Sequence, residues 1–112
     1  MKTFPLAFAA VATLILAGCA EAPSDIPPQY VSSVPYLDMT CRQLGDERLR
    51  LADKLVAASE KQDNARTDDT IGVLLIGLPT ASMSGGDVAP RIALLKGEAQ
   101  AVRQAEYRNR CG

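Results

Sequence analysis

The sequence contains no histidine and no tryptophan, and aromatic residues make up only 4% of its 112 residues. The lack of histidine removes the commonest general base and the commonest metal ligand. Its 12 basic residues are balanced by 13 acidic ones, so there is no basic surface of the kind that binds nucleic acid. These absences favour a binding or structural protein over an enzyme. We expect no catalytic residue, cofactor, metal site or nucleic-acid partner.

The first 18 residues have the organisation of a secretory signal peptide. Lys2 supplies a short positive segment, and an apolar stretch runs from Phe4 to Ala17. A stretch of this length followed by small residues is typical of an exported protein and is too short for a spanning helix. The residues that end it, Leu16-Ala17-Gly18-Cys19, resemble the lipobox of bacterial lipoproteins.

This resemblance implies that Cys19 receives a diacylglyceryl group, that the chain is cleaved before it, and that the new amine is acylated. An ordinary signal peptide with an accidental cysteine is the alternative. One acyl chain binds a membrane only marginally, whereas three would hold the protein essentially irreversibly. Ala20, in place of an aspartate, implies sorting to the outer membrane. We therefore expect a lipid-anchored envelope protein that faces the periplasm.

Residues 19–37 contain four prolines, at positions 23, 27, 28 and 35. Prolines at this density prevent a continuous helix and favour an extended backbone. The sequence thus predicts a lipidated, flexible tether that lifts the domain off the membrane. A disordered leader of no selected length is an equal alternative, and the apolar residues after position 29 allow the end of the segment to pack on the domain.

Residues 38–112 are predicted to be all-α and to form an antiparallel, coiled-coil-like helical hairpin. Thr40 and Gln43 form a capping-box pattern, and apolar residues then follow with 3–4 spacing. Gly77 followed by Pro79 is the best stop signal, so the first helix should span about 40–77. A loop over about 78–87 precedes a second helix over about 88–110, with Asp87 as its N-cap.

Cys41 and Cys111 lie at the helix ends that an antiparallel hairpin brings together. In an oxidising compartment they should form one disulfide, although free or intermolecular thiols remain open. Pairing them sets a register in which facing positions sum to about 152 (arithmetic from positions 41 and 111) and in which Leu55 faces Gly97. The first helix then extends beyond the second at the loop end.

The stretch from Thr70 to Gly86 carries no charge, and it includes the most apolar run of residues 38–112. We favour an arrangement in which the 78–86 loop folds back over this run. Binding of a second copy or of an envelope protein, and shallow insertion into a membrane, are the alternatives. Asp63, Asp68 and Asp69 do not match a calcium loop and should form a solvated helix face. The candidate interaction surface comprises Val73, Leu74, Leu75, Ile76 and Leu78.

Much of the predicted domain resembles a group of small proteobacterial lipoproteins, and the group implies no particular activity. We expect a structural or protein-interaction role in the cell envelope. The alternative is an accessory or regulatory module that binds one specific envelope enzyme or transporter. The resembling residues are Cys41-Arg42-Gln43-Leu44, Gly72-Val73-Leu74-Leu75-Ile76-Gly77-Leu78-Pro79, Ser82-Met83-Ser84-Gly85-Gly86-Asp87, Leu95-Lys96-Gly97-Glu98 and Cys111.

Overall fold

The computed structural model describes residues 20–112 and shows an antiparallel helical hairpin, as predicted, with no strand in that range. Helix α1 spans Cys41–Ile76, the short helix α2 spans Thr80–Met83, and helix α3 spans Ala89–Arg108. Two 3₁₀ turns, Pro23–Asp25 and Val34–Tyr36, precede them. None of the helices in this part of the chain is long and apolar enough to cross a membrane.

Local signals fix both ends of α1. At its start the Gln43 N–H donates to the Thr40 hydroxyl at 3.1 Å, and the Thr40 N–H donates to Gln43 Oε1 at 2.9 Å. This reciprocal capping box satisfies two donors that would otherwise lack partners. At its end Gly77 adopts a left-handed conformation with φ of 76°, where a side chain would be strained. The helix between them is 36 residues, or roughly 54 Å, long.

The hairpin core is built on a seven-residue repeat along α1. The buried positions Leu44, Leu51, Ala58, Ala65 and Gly72 follow one another at that interval. From α3 they meet a second buried row, formed by Ile92, Leu95, Ala101, Val102 and Ala105. Each fully buried leucine or isoleucine stabilises the fold by about 1.5–3 kcal/mol. The many alanines bring the two helices close but bury little area.

The predicted disulfide joins Cys41 to Cys111, whose Cα atoms lie 5.5 Å apart, and it holds the two helix ends together. Polar contacts agree with the predicted register to within two positions. Arg48 Nη1 lies 3.2 Å from Glu106 Oε2, and the Val88 N–H donates to Gln62 Oε1 at 2.7 Å. The register therefore holds along the paired part of the hairpin.

The expectation of a flexible tether is wrong for residues 20–37, which lie along the hairpin. Ala20 and Ile26 are both buried. The Lys96 ammonium donates to the carbonyl oxygens of Ile26, at 2.7 Å, and Pro23. The Gln29 N–H donates to the Ala93 carbonyl oxygen at 2.8 Å. The prolines prevent a continuous helix in this segment, and its backbone carbonyls accept hydrogen bonds from Lys96 in α3.

Gly97 makes this packing possible. A Cβ at position 97 would lie 1.9 Å from the Gln29 carbonyl oxygen, so only glycine allows the segment to approach α3 so closely. The predicted register places Gly97 opposite Leu55. Gly97 faces the N-terminal segment instead, because the hairpin has a third component that the two-helix prediction left out.

The packed segment runs the length of the hairpin. It begins at Ala20, whose N–H donates to Asp69 near the loop end. It reaches the disulfide end at Leu37 and Met39, whose carbonyl oxygens accept from Asn109 Nδ2 at 3.0 and 3.2 Å. The segment therefore lies beside the part of α1 from Asp69 to Cys41, which is 28 residues, or roughly 42 Å, long.

Candidate functional site

The loop end of the hairpin exposes a cluster of large apolar side chains. Leu74, Leu75 and Ile76 are 78, 77 and 63% exposed, and Leu78 and Met83 are exposed beside them. We call these five residues the apolar tip. Four of them belong to the predicted surface, and Met83 was missed. The fifth predicted residue, Val73, is half-buried and contributes less.

The favoured expectation that the loop covers this run is wrong. The loop does fold back, but it contacts α1 at Gly72 and leaves the neighbouring Leu75 and Ile76 exposed at the edge of this contact. A Cβ at position 72 would come within 2.5 Å of the Leu78 carbonyl oxygen and 2.8 Å of Thr80 Oγ1. Because Gly72 has no side chain, the loop backbone comes close to α1 there, and Leu74, Leu75 and Ile76 remain exposed. An open groove of about 640 Å³, lined partly by Ile71, Gly72 and Leu75, lies between α1 and the loop.

Asp69 holds the loop in this position. Its carboxylate is fully buried and accepts the Ser82 N–H at 2.8 Å, the Ala20 N–H at 3.1 Å and the Ser82 hydroxyl. Burial alone would raise the pKa of Asp69. The hydrogen bonds from Ser82, Ala20 and Ala81 outweigh it and hold the pKa below its ordinary value of 3.8. Asp69 is therefore a buried, ionised carboxylate whose charge is stabilised by donors alone.

Gln62 plays the same part seven residues earlier. Its Nε2 donates to the Glu21 carbonyl oxygen at 2.9 Å and to Asp87 Oδ1 at 3.0 Å, while its Oε1 accepts the Val88 N–H. We call Gln62, Asp69 and Ser82 the polar clasp. The clasp ties the start of the described chain, helix α1 and the loop into one unit directly beneath the apolar tip.

The clasp was not predicted, because Asp69 was expected on a solvated helix face and Gln62 interrupts the apolar stripe of α1. A signal was nevertheless present. Arg48, Leu55, Gln62 and Asp69 repeat every seven residues, each four positions after a buried residue of the core row. A polar residue at a position that repeats with the core is expected to be buried and to have a polar partner.

Nothing in residues 20–112 forms a group of three or more metal-binding side chains. The predicted lipidation site, Cys19, lies outside the described residues, one position before Ala20. No family model matches the chain, and neither a curated protein nor a solved structure is significantly similar to it. The resemblances to the lipobox and to the small lipoproteins therefore stay predictions.

Proposed function

We propose that this chain is a lipid-anchored protein of the bacterial cell envelope with a structural or protein-interaction role. The observation that carries the proposal is the Leu16-Ala17-Gly18-Cys19 ending, placed directly after an apolar stretch. A disulfide-closed hairpin is consistent with an oxidising compartment such as the periplasm. An acylated Cys19 would attach the hairpin to the outer membrane.

The lipid attachment is tested by metabolic labelling with a clickable fatty acid. The wild-type chain should be labelled, and Cys19→Ser should not. The double variant Cys41→Ser/Cys111→Ser is the matched control, because it loses two thiols and the disulfide but keeps Cys19. It should be labelled like the wild type. Equal labelling of the wild type and Cys19→Ser would overturn the proposal.

A second candidate function is an accessory module for one specific envelope enzyme or transporter. Two exposed tyrosines favour it, since Tyr30 is 88% and Tyr107 85% exposed, and tyrosine is enriched at protein interfaces. A photo-crosslinking residue at position 30 or 107, in cells, followed by mass spectrometry, distinguishes the two functions. One stoichiometric enzyme or transporter supports the accessory role. Crosslinks to many envelope components, or to a second copy, favour the structural role.

A further inference from the structure

The side chains of the apolar tip point in several directions around the end of α1. Leu74, Leu75 and Ile76 are consecutive, so they leave the helix axis about 100° apart, and all three are exposed. A partner helix contacts residues at spacings of three and four, such as the exposed Ile71, Leu74 and Leu75, and would leave Ile76 uncovered. An environment that surrounds the helix end covers all of these side chains.

The chemistry of this end suits the boundary between lipid headgroups and acyl chains. No charged residue occurs between Thr70 and Gly86. The nearest buried charge, Asp69, already has its donors inside the protein and does not oppose insertion. From residue 70 to the end of α1 at residue 76 the helix rises roughly 10 Å. Interfacial segments enter a bilayer by about 5–10 Å, which matches this uncharged length.

The described chain starts at the same end. The Ala20 N–H is bound to Asp69, and Cys19 immediately precedes Ala20 in the sequence. Asp69 precedes Leu75 by six residues, or roughly 9 Å of helix rise. Acyl chains on Cys19 would therefore enter the bilayer beside the apolar tip.

We infer that the apolar tip inserts shallowly into the bilayer beside the lipid anchor, so that the hairpin stands on the membrane with its disulfide end farthest away. This rests on the proposed lipidation of Cys19. The anchor supplies a high effective concentration of membrane at the tip, so weak insertion suffices. The polar clasp fixes the orientation of the hairpin on the membrane. The Asp69–Ala20 hydrogen bond holds the start of the described chain against α1, whereas a free tether would let the hairpin tilt.

Tryptophan fluorescence tests the inference directly, because the chain contains no tryptophan of its own. Leu75→Trp places one indole at the tip. Leu49→Trp is the matched control, because Leu49 is also exposed on α1 but lies 26 residues, or roughly 39 Å, nearer the disulfide end. The full-length lipidated variants are reconstituted into phosphatidylethanolamine–phosphatidylglycerol vesicles, with and without brominated acyl chains. Retained helicity and an intact disulfide show that both variants are folded.

We expect the Leu75→Trp emission to shift to the blue and to be quenched by brominated lipid, and the Leu49→Trp emission to stay water-like and unquenched. Fatty acid on the protein with neither indole quenched overturns the insertion and leaves the anchor intact. Quenching of both indoles, from a hairpin lying flat, also overturns it. A blue shift without quenching and with doubled mass shows tip-to-tip association instead. A protein without fatty acid overturns anchor and insertion together.

Discussion

The two ends of the hairpin are held by different chemistry. At one end the Cys41–Cys111 disulfide and the Thr40 capping box close the structure with a covalent bond and local hydrogen bonds. At the other end a buried carboxylate, Asp69, gathers donors from the loop and from Ala20, and large apolar side chains remain exposed. The disulfide end is closed by a covalent bond that stabilises the fold. The tip is closed by hydrogen bonds alone, which is a weaker closure, and it leaves an apolar surface exposed.

Removing the disulfide should give the largest loss of stability. The bond closes a loop between residues 70 positions apart, which stabilises the fold by about 4 kcal/mol in the chain-entropy model. We expect Cys41→Ser/Cys111→Ser to lower the melting temperature steeply, as measured by circular dichroism. Single variants are unsuitable because each leaves a reactive thiol. A melting temperature close to that of the wild type would mean that the polar clasp, not the disulfide, supplies most of the stability. The two ends would then not differ in the way proposed above.

Asp69→Asn tests the other end. An asparagine has the same shape, but it loses the charge that accepts from Ser82 and Ala20, and its Nδ2 faces donors. We expect a loss of about 1–3 kcal/mol in the free energy of unfolding, together with faster amide exchange at Ser82. Asp68→Asn is the matched control because Asp68 is exposed, and it should change stability by no more than about 0.5 kcal/mol. Equal effects of the two variants would show that the hydrogen bonds of the buried Asp69 do not stabilise this end.

The same carboxylate predicts the direction of a pH dependence. The pKa of Asp69 is lower in the folded protein than its ordinary value of 3.8, so near that pH the unfolded chain binds more protons. The stabilisation by Asp69 is thus complete above pH 3.8 and is lost as the pH falls through the lower, folded-state pKa. Denaturant unfolding at a series of acidic pH values should show a shallower decline for Asp69→Asn than for wild type.

Glu47 does not obscure this difference. Its pKa is also lowered, mainly by the hydrogen bond from Arg50, but Glu47 is present in both proteins. Its contribution therefore cancels between them. Parallel pH profiles for wild type and Asp69→Asn would show that the pKa of Asp69 is the same in the folded and unfolded states, contrary to the lowered value.

Gly97→Ala tests whether the packed N-terminal segment, residues 20–37, connects and stabilises the two ends. The new Cβ would clash with the Gln29 carbonyl oxygen, so the segment must shift away from α3. We expect a cost of about 1–3 kcal/mol and increased proteolysis of residues 20–37. Gly45→Ala is the control, because position 45 lies within α1 with nothing within 4 Å, and there alanine should stabilise the helix by about 0.5–1 kcal/mol. Unchanged proteolysis in Gly97→Ala would show that the segment does not depend on this contact.

What the sequence predicted well depends on short-range signals. Thr40 with Gln43, and Gly77 before Pro79, fixed the bounds of α1 because capping geometry is decided within four residues. The cysteine pair then fixed the register of the hairpin. The clasp depends instead on partners far along the chain, since Asp69 bonds Ala20 across 49 positions. Periodicity along one helix shows that position 69 is buried, but it does not show which backbone donors meet it there.

The packing of residues 20–37 was unpredictable for a related reason. Four prolines correctly indicated a chain without long helix, and such chains are common both as tethers and as packed segments. The distinguishing contacts are the Lys96 ammonium on the carbonyl of Ile26 and the missing side chain of Gly97. Both residues lie in α3, and lysine and glycine also occur commonly on the solvent-exposed face of a helix. Only their shared orientation toward the segment gives them this role.

Leu75→Glu should have the smallest effect on stability and thereby sharpens the contrast between the ends. The Leu75 side chain is 77% exposed, so a carboxylate there stays hydrated and the melting temperature should move little, within about 0.5 kcal/mol of stability. Leu95→Glu is the opposite control: Leu95 is buried in the core, and a charge there should cost several kcal/mol, of the order of the whole stability of so small a domain.

Sedimentation and vesicle flotation of the two folded proteins, wild type and Leu75→Glu, then measure self-association and membrane binding separately from folding. An unchanged melt with weaker membrane contact at the tip, or with lower mass, assigns the exposed leucines to a surface role. A large fall in melting temperature for Leu75→Glu would instead mean that the tip is covered in solution, and the two ends would then both be closed cores.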